Sequence, residues 1–360
     1  MWKKKNKWDL GQSGSTDKDS ICSMAFKEHL YIGKEDGTVL AYSEDLLYSF
    51  KAYDLKFDYL ESCDVLERIT SIERLNTGGV AHNLIVANER NIKIIEMRNS
   101  EGTKNTTQGI LSNVYTSTVL KEFNNVHSYM INSLSLSRDC QFFISSDYLV
   151  VNLWRPERLD VGYTLLDIRP KRGDELVYVI NVAKFSSHDS NIFGYSTTAG
   201  DVIINDIRLS SKSETVQSIN CKDIASHDGA LKSISDISFV DTNHICTRNL
   251  NSVSLFDLRN TKTEVYKVDI CEKMFKTPDV YDTEAVYEKF KLCNNDKHIF
   301  TGDFEGRVYA IDIKDGRRDI IDLENENIEE LVEKTKLVAC KNDGFFCAHG
   351  DSVYEYSYEG

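Results

Sequence analysis

Proline is nearly missing from this chain of 360 residues, which holds only Pro156, Pro170 and Pro278. Proline cannot donate to a β-ladder, and all three fall between strand-like runs, so nothing interrupts those runs. No Pro/Gly/Ser-rich linker divides the chain either, and one domain over residues 1–360 is expected. Paired cysteine spacing is lacking too. The nine cysteines are an odd number, scattered singly from Cys22 to Cys347 with no C-x-x-C. That pattern argues against a disulfide framework and against structural zinc, and it fits a reducing compartment, expected to be the cytoplasm with the nucleus as a second location. No run approaches the roughly 18 apolar residues needed to cross a bilayer. The basic stretch from Met1 to Lys7 leads into Trp8-Asp9-Leu10 and polar Gly/Ser residues, not into the apolar core of a signal peptide. Positive charge is in deficit: 43 Lys and Arg stand against 57 Asp and Glu, a formal net charge of -14. Such a surface repels a phosphate backbone, which argues against direct nucleic-acid binding, and it attracts basic protein segments.

Catalytic patterns are equally scarce. The eight histidines occur without an H-E-x-x-H arrangement. Turns such as Lys34-Glu35-Asp36-Gly37 carry no G-x-G-x-x-G or Walker spacing and read as tight hairpin turns. Gly350-Asp351-Ser352 has the flavour of a hydrolase nucleophile turn, but it joins strand to strand, where that chemistry needs a strand-to-helix elbow. No intrinsic enzymatic activity, cofactor or metal is expected.

What the chain does have is repetition. An alternating strand, a polar turn, an apolar run, a turn with Gly, Asp or Asn and a second alternating strand recur seven times. The first copy runs from Ile21 through Leu30-Tyr31-Ile32-Gly33 and Asp36-Gly37 to Tyr42. Further copies begin near Ile69, Ile131, Ile180, Ile234, Tyr287 and Lys336. The third strands end in related ways: Asn152-Leu153-Trp154, Asn205-Asp206-Ile207-Arg208, Leu255-Phe256-Asp257-Leu258-Arg259 and Ala310-Ile311-Asp312-Ile313. These are similar to degraded Trp-Asp endings of WD repeats. Period-2 alternation places successive side chains on opposite faces, so each unit must bury both faces against neighbours. The expectation is an all-β, seven-bladed β-propeller. The last copy leaves too little chain after Tyr358 for a fourth strand, so Trp2 to Leu10 is expected to supply it and close the ring. The acidic stretch from Glu324 to Lys334 reads as a loop or the approach to an outer strand.

Two peptides point further. Lys56-Phe57-Asp58-Tyr59-Leu60-Glu61-Ser62, followed by Glu67-Arg68-Ile69, resembles the E-F-D-Y-L-K-S...E-K-I signature of the WD-repeat, 55 kDa regulatory B subunits of protein phosphatase 2A. Val126-His127-Ser128-Tyr129-Met130-Ile131-Asn132-Ser133-Leu134 resembles that family's A-H-T-Y-H-I-N-S-I. The register continues through Ser146 to Trp154, Asp167-Ile168-Arg169-Pro170 and Glu175-Leu176, and reappears at Ser233 to Phe239 and Thr247 to Leu250.

The resemblance implies a non-catalytic subunit that binds a helical-repeat scaffold and, with it, the phosphatase catalytic subunit. It also implies an acidic face for the basic stretches beside phosphosites in substrate proteins. Carried over by position, substrate contacts fall on Asp17, Tyr129, Asp147, Tyr148, Leu176, Glu284 and Lys289, and scaffold contacts on Phe57, Asp58 and Tyr59. The scaffold surface is also expected to include the hairpin around residues 97–125, on a face separate from the substrate residues. Two departures stand out. Tyr148 occupies a position that is usually a second aspartate, and the span from Met97 to Asn125 is shorter than the family's hairpin. A rival reading takes Asp206-Ile207-Arg208 and Asp257-Leu258-Arg259 as the D-x-R element by which propeller receptors dock on a cullin ubiquitin-ligase adaptor.

Overall fold

A computed structural model describes residues 1–10, 20–75, 82–100, 114–157, 162–170, 175–209, 217–220, 232–270, 288–323 and 334–359. Among these residues there is no α-helix, and the strands assemble into seven four-stranded antiparallel sheets plus one two-stranded hairpin. The first sheet shows the plan: Ile21–Phe26, Leu30–Lys34, Thr38–Tyr42 and Leu46–Lys51 pair in sequence order. Its second strand is buried at every position, whereas its outermost strand alternates toward solvent. That gradient arises because inner strands are covered on both faces by neighbouring sheets.

Seven apolar clusters fill the seven junctions between successive sheets. Tyr31, Val39 and Tyr48 of the first sheet meet Ile72, Leu84 and Val86 of the second, and so on around to Phe300 and Val308 of the sixth against Phe345 and Tyr354 of the seventh. The circuit closes where Leu30, Ile32 and Leu40 of the first sheet pack on Phe346, Ala348 and Val353 of the seventh. The protein is a seven-bladed propeller.

Closure uses the N-terminal strand as expected. Trp2–Asp9 pairs antiparallel with Ser352–Tyr358, from Trp2 opposite Tyr358 to Asp9 opposite Ser352. Its two tryptophans point to the two blades that flank blade 7. The Trp2 indole meets Phe300 and Phe345 edge-on at 5.4 and 5.5 Å, and Trp8 lies 5.7 Å from the Tyr42 ring and 6.2 Å from that of Phe346. One strand therefore ties blade 6, blade 7 and blade 1 together.

Strand alternation also sorts the loops. In each blade the chain runs out along the first strand and back along the second, so connections between blades and the second-to-third-strand turns share one side of the ring, called here the connector face. First-to-second and third-to-fourth turns lie on the other side, the turn face. At Asp36-Gly37, on the connector face, glycine is required: its φ is +86°, and a Cβ there would sit 2.3 Å from the Tyr53 carbonyl oxygen.

Candidate functional site

The connection between blades 1 and 2 folds into its own hairpin, Lys56–Asp58 against Cys63–Val65. Asp58 sets its turn by accepting the Leu60 amide at 2.8 Å. Phe57 and Tyr59 stack edge to face at 5.1 Å. Tyr59 and Leu60 are 86% and 96% exposed, with Phe57 and Val65 also open to solvent. Asp58 is thus the residue that shapes the turn, and the aromatic pair is what the hairpin displays.

A second group lies on the same face. Tyr129 comes from the blade 2 to 3 connection, Tyr148 from a turn of blade 3, Leu176 from the blade 3 to 4 connection and Lys289 from the blade 5 to 6 connection. Tyr129 and Tyr148 lie 6.4 Å apart, edge to face. The Lys289 ammonium stands 5.2 Å over the Tyr148 ring, held by the ring's negative face. Burial, followed by repulsion from Lys291, pushes the Lys289 pKa down to about 8. Tyr129 and Leu176 are half-exposed, and Val177 more so. Arg169 carries a further positive charge beside this group, paired with Asp167 at 2.9 Å.

Asp147 behaves differently from its sequence neighbours. It is 1% exposed, and its carboxylate is engaged on both oxygens. Oδ1 accepts the amides of Leu149 and Val150, each at 2.7 Å. Oδ2 lies 3.0 Å from His127 Nδ1, whose other ring nitrogen is 2.7 Å from Ser145 Oγ. The Trp154 indole N–H donates to the same hydroxyl at 2.8 Å. An ionised carboxylate only accepts and an indole N–H only donates, so Trp154 donates to Ser145 and the His127 Nδ1–H donates to Asp147, with Ser145 and His127 bonded to each other between them. The same turn position recurs in other blades: Asn88 accepts the amides of Arg90 and Asn91, Asn249 those of Asn251 and Ser252, and Asp303 those of Glu305 and Arg307. Asp147 is therefore a repeat-borne turn cap, and its carboxylate does not face a partner. Neither the cap nor the buried chain behind it was foreseen from the sequence, although His127 within the second signature peptide and Trp154 at a strand end were its visible parts.

Asp17 and Glu284 lie outside the described residues, as does most of the stretch from Glu324 to Lys334. The two proposed surfaces are also arranged differently from the expectation. The Phe57–Tyr59 peptide shares the connector face with Tyr129, Tyr148, Leu176 and Lys289. The blade 2 hairpin, Ile92–Ser100 paired with Val114–Phe123, runs toward the turn face. Strand alternation explains the separation, because a connection between blades and a third-to-fourth-strand hairpin cannot emerge on one side. The two D-x-R elements close on themselves: Arg208 Nε is 2.9 and 3.0 Å from the two Asp206 oxygens, and Arg259 Nε is 3.0 and 3.2 Å from those of Asp257. Among the described residues no cluster of three or more His, Cys, Asp or Glu could hold a metal ion.

No protein-family model matches the chain. Curated proteins do. The 55 kDa regulatory subunit of protein phosphatase 2A from Drosophila melanogaster is 25% identical over 353 residues, covering 85% of this chain and 70% of that one. The B-type regulatory subunit of the same phosphatase from Candida tropicalis is 27% identical over 304 residues, covering 75% and 60%. The gamma isoform of the 55 kDa B-type regulatory subunit from Mus musculus is 25% identical over 307 residues, covering 77% and 68%. The chain thus spans between 60% and 70% of the length of these relatives. Among solved structures, Raptor from Chaetomium thermophilum superposes with a TM-score of 0.67 at 10% identity over 95% of this chain and 28% of that one, a likeness of fold. The signature peptides, the propeller and these relatives agree: the chain is a divergent homologue of the 55 kDa regulatory B subunits of protein phosphatase 2A.

Proposed function

We propose that this chain is a non-catalytic regulatory subunit of a protein phosphatase 2A holoenzyme that binds the helical-repeat scaffold beside the catalytic subunit and recruits phosphoprotein substrates. The observation that carries the reading is the exposed aromatic hairpin around Phe57 and Tyr59. It presents the most specific family peptide, and exposed, rigid aromatics make strong interface anchors. Substrate segments then lie across the connector face, over Tyr129, Tyr148 and Leu176. Attraction for basic residues comes from Asp17 and Glu284, assigned by resemblance, and from the net charge of -14. Lys289 orients a carboxylate or phosphate of the bound segment. Asp147 contributes by holding the turn that presents Tyr148.

The test mixes the purified chain with phosphatase scaffold and catalytic subunits and follows co-elution on gel filtration at micromolar concentration. A three-part complex that forms with the wild type and is weakened at least about tenfold by Phe57→Ala with Tyr59→Ala, near 1.4 kcal/mol, supports the assignment. Absence of any complex overturns it. A complex indifferent to the double change moves the scaffold contact elsewhere, with the blade 2 hairpin as the next segment to vary.

A further inference from the structure

Alternation along the innermost strands decides which junction each side chain enters. The innermost strand of blade 6 is Leu292–Asn294, and that of blade 7 is Leu337–Lys341. Leu292 packs into the cluster between blades 5 and 6, so its neighbour Cys293 turns the other way, into the cluster between blades 6 and 7. On the facing strand Leu337 and Ala339 pack toward blade 1, whereas Val338 and Cys340 pack toward blade 6. Two cysteines on different blades therefore enter one junction from opposite walls. Two hydrogen bonds hold those walls in step. The Lys291 amide donates to the Lys336 carbonyl at 2.9 Å, and the Asn295 side-chain amide donates to the Asn342 carbonyl at 3.2 Å. Between these ties the Cys293 and Cys340 thiols are side-chain neighbours.

Both are free thiols, and neither residue is fully buried. Both also line the cavity at the centre of the ring, which gives a small uncharged oxidant a route to them. A third cysteine of the same cluster, Cys347, is 0% exposed and lies behind the pair. Burial, followed by the neighbouring Cys293, pushes the Cys340 pKa well up. The thiolate is the nucleophile, so Cys293 reacts first and Cys340 second. Cys293 sulfur attacks one oxygen of hydrogen peroxide, the O–O bond breaks, the other oxygen leaves as water with the thiol proton, and a sulfenic acid remains. Cys340 sulfur then attacks Cys293 sulfur, the S–O bond breaks, and the hydroxyl leaves as a second water with the Cys340 proton. Two thiols have lost two electrons and two protons, and one peroxide has become two waters.

We propose that Cys293 and Cys340 form a modification site, a dithiol that peroxide oxidises to a disulfide stapling blade 6 to blade 7. Where glutathione keeps thiols reduced, such a pair rests open and is joined only while oxidant is present. The site uses a blade junction and not the connector face, so it is independent of the phosphatase reading. Hydrogen peroxide is added to the purified full chain, remaining thiols are blocked with N-ethylmaleimide, and a tryptic digest is read by mass spectrometry without reduction. Tryptic peptides 292–297 and 337–341 hold one cysteine each. They should appear joined, lighter than their sum by two hydrogens, and should separate on reduction. The joined chain should melt about 5 °C above the reduced one, from the chain entropy that a cross-link between residues 293 and 340 removes from the unfolded state. Cys340→Ser should abolish the joined peptides and the gain in Tm together, and leave on Cys293 a sulfenic acid that dimedone traps. No joined peptides at a peroxide dose that oxidises the exposed Cys63 overturns the proposal, as does a link from Cys293 to Cys347 in their place. Joined peptides in a chain that melts no higher overturn the staple. The wild-type digest and melt decide by themselves should Cys340→Ser fail to fold.

Discussion

Replacing Asp147 separates a recruiting acid from a structural one. Asp147→Ala leaves the Leu149 and Val150 amides without the acceptor that now lies 2.7 Å from each, and it strands His127 Nδ1 in a buried site. Loss of a charge-assisted bond plus desolvated, unpaired donors sums to about 4 kcal/mol. Unfolding entropy near 2.1 cal/mol/K per residue gives about 0.75 kcal/mol/K for a 360-residue ring melting as one unit. The expected fall in Tm is therefore about 5 °C. Asp147→Asn keeps an oxygen for the two amides and should lose only about 1 to 3 °C, whereas Asp147→Lys, which forces an ammonium into a site 1% exposed, should lose more than alanine does.

Calorimetry orders the three variants, and near-ultraviolet circular dichroism reports whether Trp154 loses its fixed surroundings. The pH dependence has a definite sign. Burial pushes the Asp147 pKa up, but the bonds from His127, Leu149 and Val150 outweigh it and hold the carboxyl below its ordinary 3.8. A depressed carboxyl contributes stability that is present above the unfolded value and lost as pH falls through the folded one. The gap between wild type and Asp147→Asn should therefore narrow below about pH 4. If Asp147→Ala melts within a degree of wild type at neutral pH, the carboxylate is not holding the turn and a recruiting role returns. A charge reversal at Asp147 is a poor probe of recruitment for the same reason, and Tyr129 or Leu176 serves better.

The ring was legible because every blade repeats one hydrophobic alternation, and seven copies with a missing last strand leave Trp2–Asp9 as the natural closure. Turn residues such as Asp36-Gly37 announced themselves through the conformations they alone allow. Side-chain roles were less readable. A carboxylate at the second-to-third-strand turn looks the same in sequence whether it caps two amides, as at Asp147 and Asp303, or faces solvent. At Asp147 the second oxygen is committed by the His127 imidazole from the preceding connection, 20 residues away in the chain. The face assignment failed for a similar reason: Phe57 and the blade 2 hairpin are close in sequence, yet strand alternation sends them to opposite sides. The thiol pair was invisible as well, since Cys293 and Cys340 lie on different blades and meet only where those blades pack.

Deleting residues 1–9 should lower Tm by about 8 °C, because two tryptophans that bridge blades are lost at about 3 kcal/mol each, and a melt within two degrees of the full chain would show that the ring is held by its other contacts. Phe57→Ala with Tyr59→Ala, at exposed positions, should leave the melt unchanged while weakening scaffold binding; a matching loss of Tm would mean that the aromatic pair supports the fold instead. At Lys289, burial and the nearby Lys291 lower the ammonium to about pKa 8, while its place over the Tyr148 ring at 5.2 Å favours the charged form without supplying a full countercharge. Because the folded pKa lies below the ordinary 10.5, the folded chain binds fewer protons than the unfolded one between pH 8 and 10.5, and this lysine's unfavourable contribution is full below pH 8 and relieved as pH rises. Acylation with acetic anhydride, followed site by site by mass spectrometry, should therefore show Lys289 reaching half its limiting rate near pH 8, well before exposed lysines of the same sample. Tyr148→Asp places a carboxylate beside the ammonium, favours its charged form and should move that midpoint upward by a unit or more. A wild-type midpoint shared with the exposed lysines, or one that Tyr148→Asp leaves in place, would mean that the two side chains are not neighbours on the connector face, and Lys289 would then have no part in orienting a bound segment.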